Sequence, residues 1–218
     1  IQSGSAGGSR GIWQKGLHGE NQTIAILDTG LDFDSCYFAE DDKTSPPISI
    51  GTAVGSPDYS RRKTVIYDLL YPPDYGCGTG DFDNHGHGTA VAGNAAGSHF
   101  TNPLGAGFYN GMAPAAKLIV QDAGYATDNC ADLPALGCPV IDLTPILDHA
   151  VMQGANFHNN SWGDRENYFP QNTYTAPTAD MDEVIWRNPE FLIVCAAGNG
   201  GPRNNSVGSP SVGKNVLS

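Results

Sequence analysis

TIAILDTG, residues 23–30, is the stretch whose reading decides the fold. Thr23 to Leu27 form a short continuous apolar, β-branched run, and the run stops at Asp28-Thr29-Gly30. A strand with one wet face alternates apolar and polar side chains. A strand covered on both faces reads as an unbroken apolar run, which is the signature of a parallel sheet. Asp28 is therefore expected at the carboxyl end of a buried parallel strand.

The same alternation of short apolar runs and helical segments continues downstream. TVIYDLL (64–70), KLIVQ (117–121), Asn156 to Trp162 and Phe191 to Ala196 read as strands. His87 to Gly97, Leu143 to Gly154 and Thr178 to Asn188 read as helices, the first with a small-residue face of Thr89, Ala90, Val91, Ala92 and Ala95. Strands separated by helical crossovers predict right-handed connections and a sheet covered on both sides. The expected class is α/β: a doubly wound, mostly parallel sheet with helices on both faces. Between about Cys36 and Asp83 the chain is acidic and turn-rich, with Pro46-Pro47 and Pro72-Pro73, and TVIYDLL is its one expected strand. Functional groups in such sheets gather beyond the carboxyl ends of the strands. Asp28, the segment Asn160–Gly163 and Gly198-Asn199 all fall there.

The chain has 218 residues, a size suited to one globular unit. Eleven basic against twenty-three acidic side chains give a formal net charge of −12, so a nucleic-acid backbone or an anionic membrane surface would repel it. No stretch approaches the roughly 18 uninterrupted apolar residues of a membrane-spanning helix. Of the five cysteines, Cys195 lies in the apolar run FLIVCAAG and reads as a buried thiol. Cys130 and Cys138 bracket a short turn-rich stretch and Cys36 could meet Cys77, so two disulfides are the economical partition; five reduced thiols are the alternative. No pair has the C-x-x-C spacing of a zinc site. Acidity and cysteines together point to a secreted protein.

Three local words carry the chemistry. Asp28 sits in AILDTG, His87 in GHGTAVAG and Asn199 in VCAAGNGG, with NNSWG at 159–163 between the last two. Each residue alone has an ordinary use: a turn carboxylate, a helix-start histidine, a left-handed turn. Taken in this order, from about Ile12 to the last residue, the chain resembles the subtilisin-like serine proteases, the subtilase family. The resemblance implies that Asp28 orients the imidazole, that His87 is the general base and acid, and that Asn199 donates to the oxyanion. An imidazole is suited to that task, because it can take a proton from a hydroxyl and return it to a leaving amine near neutral pH. His87 is preferred to His85 because Gly88-Thr89 follows it; the second histidine that the family often carries three residues on is here Ala90.

By the same resemblance, Ser161-Trp162-Gly163 is the segment along which a peptide substrate lies as an added strand, and Ala196-Ala197-Gly198 is the opposite wall of the side-chain pocket. Asp32, Asp34, Asp41 and Asp42 offer hard oxygen ligands in one loop, so structural calcium is an expectation, although the chemistry requires no cofactor. A metallohydrolase reading would take Asp83, His85, His87 and Asp122 as ligands, but Gly88-Thr89-Ala90 reads as a helix start.

The nucleophile is missing. Only residues 200–218 follow Asn199, and Ser206, Ser209, Ser211 and Ser218 lack the Gly-Thr-Ser context of the family's serine. VGSPSVGKNVLS (207–218) resembles the loop and strand that precede it. Residues 1–218 are therefore expected to be a peptidase domain that is incomplete at its C-terminal end, stopping inside a strand with Val216 and Leu217 unpaired at a sheet edge. The serine would come from continuing chain or a companion fragment. The main expectation is a secreted endopeptidase acting on protein or peptide substrates. The alternative is a non-catalytic peptide-binding module that keeps the groove.

Overall fold

β1 (Thr23–Asp28) runs through the middle of a six-stranded sheet. The computed structural model describes residues 10–51, 53–70, 83, 85–99, 101, 109–123, 142–164 and 172–218. In chain order β1 is followed by β2 (Ile48–Ile50), β3 (Thr64–Leu69), α1 (His87–Ala96), β4 (Lys117–Asp122), α2 (Thr144–Met152), β5 (Phe157–Asn160), α3 (Ala176–Arg187) and β6 (Leu192–Cys195). The spatial order is β2-β3-β4-β1-β5-β6, and every adjacent pair is parallel. Winding proceeds to one side of β1, returns through β4, and continues on the other side through β5 and β6. This is the doubly wound α/β architecture that the apolar runs predict.

Side-chain alternation divides the core into two layers. Ala25 and Leu27 of β1 and Ile119 of β4 join Leu147 and Ala150 of α2 and Met181 and Val184 of α3. Ile26, Leu118 and Val120 point the other way and meet Ala92 and Ala96 of α1. The small residues of α1 let it sit close to the sheet. A register shift between Thr64 and Ile66 lets Val65 and Ile66 of β3 both join the first layer before Tyr67 and Leu69 join the second.

Three expectations are corrected. β2 is a further strand in the acidic segment: three residues after Pro46-Pro47 are too short for a periodic signal, and pairing with Tyr67–Leu69 of β3 makes them a strand. Leu217 is not unpaired. It forms a parallel bridge to Val194, its N–H donating to the Ile193 carbonyl at 2.9 Å and its carbonyl accepting from Cys195 N–H at 2.8 Å. Asp182 of α3 holds the approach to that bridge, accepting from the N–H groups of Lys214 and Asn215. Finally, Cys36 has a free, exposed thiol rather than a bridge to Cys77. The turn at Ser35–Phe38 sends Phe38 into the core and leaves residue 36 to solvent. Cys77, Cys130 and Cys138 lie outside the described residues. Cys195 is the buried thiol anticipated, donating toward the Met181 sulfur at 3.5 Å, and burial pushes it up to about 12.

Candidate active site

Asp28 is two residues beyond Ile26 and shares its face, so the end of β1 aims a carboxylate at α1. His87 is the first residue of that helix. The two meet at 2.6 Å between His87 Nδ1 and Asp28 Oδ1, and Thr29 N–H donates to the same oxygen at 2.8 Å. Asp28 is 1% exposed, whereas the imidazole side chain is 46% exposed. An ionised carboxylate only accepts hydrogen bonds, so the imidazole proton belongs on Nδ1 and Nε2 keeps its lone pair. The pair is thus a buried acceptor holding a solvent-open base in one tautomer. Burial pushes the Asp28 carboxyl above its ordinary value, while the His87 and Thr29 hydrogen bonds pull it down. Asp28 Oδ2 is buried with no hydrogen-bond partner among the described residues.

The glycines of the two words explain each other. A Cβ on Gly88 would lie 2.1 Å from the Gly30 carbonyl oxygen, so the helix start and the turn after β1 touch backbone to backbone. Gly88 N–H donates to Thr29 Oγ1 at 2.9 Å across this contact. Only glycine lets His87 come within reach of Asp28 from a separate element.

The segments expected to line a groove, Ser161–Gly163 and Ala196–Gly198, follow directly on β5 and β6. Among the described residues the main chain of Ser161, Trp162 and Gly163 has no backbone hydrogen-bond partner, which leaves it open to pair with an extended peptide. The Trp162 indole is instead buried in the core layer beside α2 and α3, its Nε1 without a partner. Ala196, Ala197, Gly198 and Asn199 are all exposed, Gly198 has a φ of 107°, and the Asn199 side chain has no hydrogen-bond partner among the described residues. Between the walls lies a connection that the motifs did not reveal, the loop at Gly208-Ser209. Gly208 N–H donates to the Ala197 carbonyl at 3.2 Å, and the Ser209 carbonyl accepts from Asp164 N–H at 2.9 Å. A Cβ on Gly163 would meet that Ser209 oxygen at 2.9 Å, so the wall can approach the loop only as glycine. At β5, buried His158 is held neutral, burial pushing its imidazole down to about 3. It links Gln121 of β4 to Asn160 at the end of β5.

Three of the four serines have hydroxyls engaged within the fold. Ser209 is buried and its hydroxyl meets Thr175 and Thr178, while Ser211 donates to the Gly208 carbonyl at 2.7 Å. Ser218 donates to the Ser211 carbonyl. Among the described residues no group of three or more His, Cys, Asp or Glu is arranged to hold a metal ion. Asp42 accepts from Thr44, and Asp122 accepts from the Tyr67 hydroxyl.

The family model described as "Subtilase family" matches residues 19–218. The chain belongs to the subtilase family. Similar proteins include the serine protease/ABC transporter B family protein tagD of Dictyostelium discoideum, 30% identical over 203 residues, covering 92% of this chain and 10% of that protein. Subtilisin-like protease SBT3.7 of Arabidopsis thaliana is 30% identical over 129 residues, covering 57% of this chain and 16% of that protein. Among solved structures, the Clostridium perfringens CspB protease aligns with a TM-score of 0.55 at 19% identity, over 88% of this chain and 39% of that one. MycP3 protease from a type VII secretion system aligns at 0.53 and 23% identity, over 95% and 54%. These solved structures agree with this one in fold. The chain spans about a tenth of tagD and 39–54% of these two solved chains. No helix among the described residues is long and apolar enough to cross a membrane.

Proposed function

We propose that this subtilase chain is the part of a secreted serine endopeptidase that supplies every catalytic group except the nucleophile. The observation that carries the reading is the buried Asp28 carboxylate holding a half-exposed His87 through Nδ1 at 2.6 Å. His87 Nε2 takes the proton of a serine hydroxyl as its oxygen attacks the peptide carbonyl. Asp28 stabilises the imidazolium that forms, and the Asn199 amide donates to the oxyanion of the tetrahedral intermediate. The imidazolium then returns the proton to the leaving amine. Water, deprotonated by the same imidazole, releases the acyl group and regenerates the hydroxyl. The substrate main chain lies along Ser161–Gly163, and its side chain before the cleaved bond enters between that wall and Ala196–Gly198.

The serine comes from polypeptide outside these 218 residues, in continuing chain or a companion fragment. A fluorophosphonate serine probe applied to the whole active preparation labels a peptide that is not among them. Labelling of a serine within residues 1–218, or no labelling in a preparation that cleaves peptides, overturns the assignment. Peptide binding without casein hydrolysis would instead favour a non-catalytic groove.

A further inference from the structure

Asp83 is the one described residue of the segment 71–84, and it makes more hydrogen bonds than either member of the proposed pair. Its Oδ1 accepts from the Thr29 hydroxyl at 2.8 Å, from Gly86 N–H at 2.8 Å and from His85 N–H at 3.2 Å. Its Oδ2 accepts from Thr89 N–H at 2.7 Å and from the Thr89 hydroxyl at 2.6 Å. The donors come from both sides of the site. Thr29 belongs to the turn that follows Asp28; Gly86 and Thr89 bracket His87. Two further bonds close the frame: Thr29 Oγ1 accepts from Gly88 N–H, and Thr89 Oγ1 accepts from Asp32 N–H at 2.9 Å.

A helix start has N–H groups without intrahelical partners. In α1 the Gly86 cap contributes no side-chain hydrogen bond, and the work is divided between Thr29 and Asp83, with the carboxylate also placed where the helix dipole favours negative charge. Charge-assisted bonds to five donors make a stiff joint. It does not touch His87. It fixes the two backbones from which Asp28 and His87 project.

We propose that Asp83 is a positioning residue for the reaction: it locks the turn after Asp28 to the first turn of α1, and so sets the His87–Asp28 geometry. This rests on the hydrolytic reading of the site, and its test separates the two. Asp83→Ala in the complete enzyme is expected to lower kcat on the order of 10- to 100-fold, as about 1 Å of misplacement does, with KM within about twofold of wild type. The downfield proton resonance of His87 Nδ1–H is expected to shift and broaden, and Asp83→Asn, which keeps one acceptor oxygen, recovers part of both signals. Leu147→Ala, in the core layer on the far face of the sheet, serves as a variant of lowered stability and leaves the resonance in place. Thr29→Val breaks the same chain of bonds without changing shape, and its effect on kcat is expected to be non-additive with that of Asp83→Asn. A wild-type resonance with kcat within threefold in Asp83→Ala, a resonance loss matched by Leu147→Ala, or strict additivity with Thr29→Val overturns the proposal. The resonance is read without turnover, so a wild-type enzyme that fails to hydrolyse peptides sinks the hydrolytic reading alone.

Discussion

Gly88→Ala tests the backbone contact on which the site is built. The added Cβ would sit 2.1 Å from the Gly30 carbonyl oxygen, 3.0 Å from its nitrogen and 3.1 Å from its carbonyl carbon. All three are backbone atoms, so no side-chain rotation relieves the clash, and the two segments must part by about 1 Å. Overpacking of this kind costs about 1–3 kcal/mol. Alanine is the better helix former by about 1 kcal/mol, which opposes the loss without cancelling it. The net destabilisation, up to about 2 kcal/mol, lowers Tm by up to about 8 °C for a domain of this size. The larger effect falls on chemistry: moving α1 off the Asp28 turn by about 1 Å is expected to cut kcat by about 100-fold. Thermal unfolding and peptide hydrolysis, measured beside Gly201→Ala, supply the comparison, since a Cβ on Gly201 meets nothing within 4 Å. If Gly88→Ala melts at or above the wild-type temperature and keeps its kcat, the argument from backbone contact is wrong.

Asn199→Ala is expected to lower kcat by about 10²–10³-fold with KM little changed, a magnitude carried over from the corresponding asparagine of subtilisin itself; steady-state kinetics decide it. Asp28→Asn is expected to lower kcat by about 10⁴-fold, because an amide that donates to Nδ1 puts the imidazole proton on the wrong nitrogen; a loss below tenfold would contradict the tautomer assignment. Asp68 gives a pH test. It is 1% exposed, its Oδ1 accepts from Ser49 Oγ and from Gln153 Nε2 at 2.9 Å, and its Oδ2 has no partner. Burial pushes its carboxyl above the ordinary value. The folded chain therefore binds this proton more readily than the unfolded chain. The stability from Asp68 is present in full below about pH 4, the unfolded value, and is lost as pH rises through the folded one. Asp68→Asn carries no charge to bury, so its Tm relative to wild type is expected to climb as pH rises from about 4 toward 7; a difference flat with pH removes the explanation.

How much of this was legible in the sequence follows from where each signal resides. β1, β3, β4 and α1 announce themselves because an unbroken apolar run and a small-residue helix are local patterns. The Asp28–His87 pair was legible because two short words specify it. β2 was not, since Ile48–Ile50 become a strand only through a partner at 67–69. The Leu217 bridge depends in the same way on β6. Asp83 stood out in the sequence only as a candidate metal ligand, because its role appears when the donors of Thr29 and Thr89 converge on it. Trp162 belongs to a word expected to line the substrate, yet its indole goes to the core. The Cys36–Cys77 expectation failed because cysteine spacing says nothing about which way a turn points a thiol.

The central place of β1 also orders events in time. On one side it pairs with β4, residue 23 opposite residue 117, and on the other its first residue bonds to Asn156, 133 positions along the chain. The strand that carries Asp28 thus precedes in the chain both of the strands that enclose it. Contacts so distant in sequence are slow to form, and until β5 arrives the Asp28 flank of the sheet is an open edge. A growing chain cannot carry a finished Asp28–His87 site before β5 is made, because β4 and β5, which flank β1, are encoded after it. The Asp28–His87 pair is thus tied by topology to the synthesis of β4 and β5, far downstream of the residue it is built on.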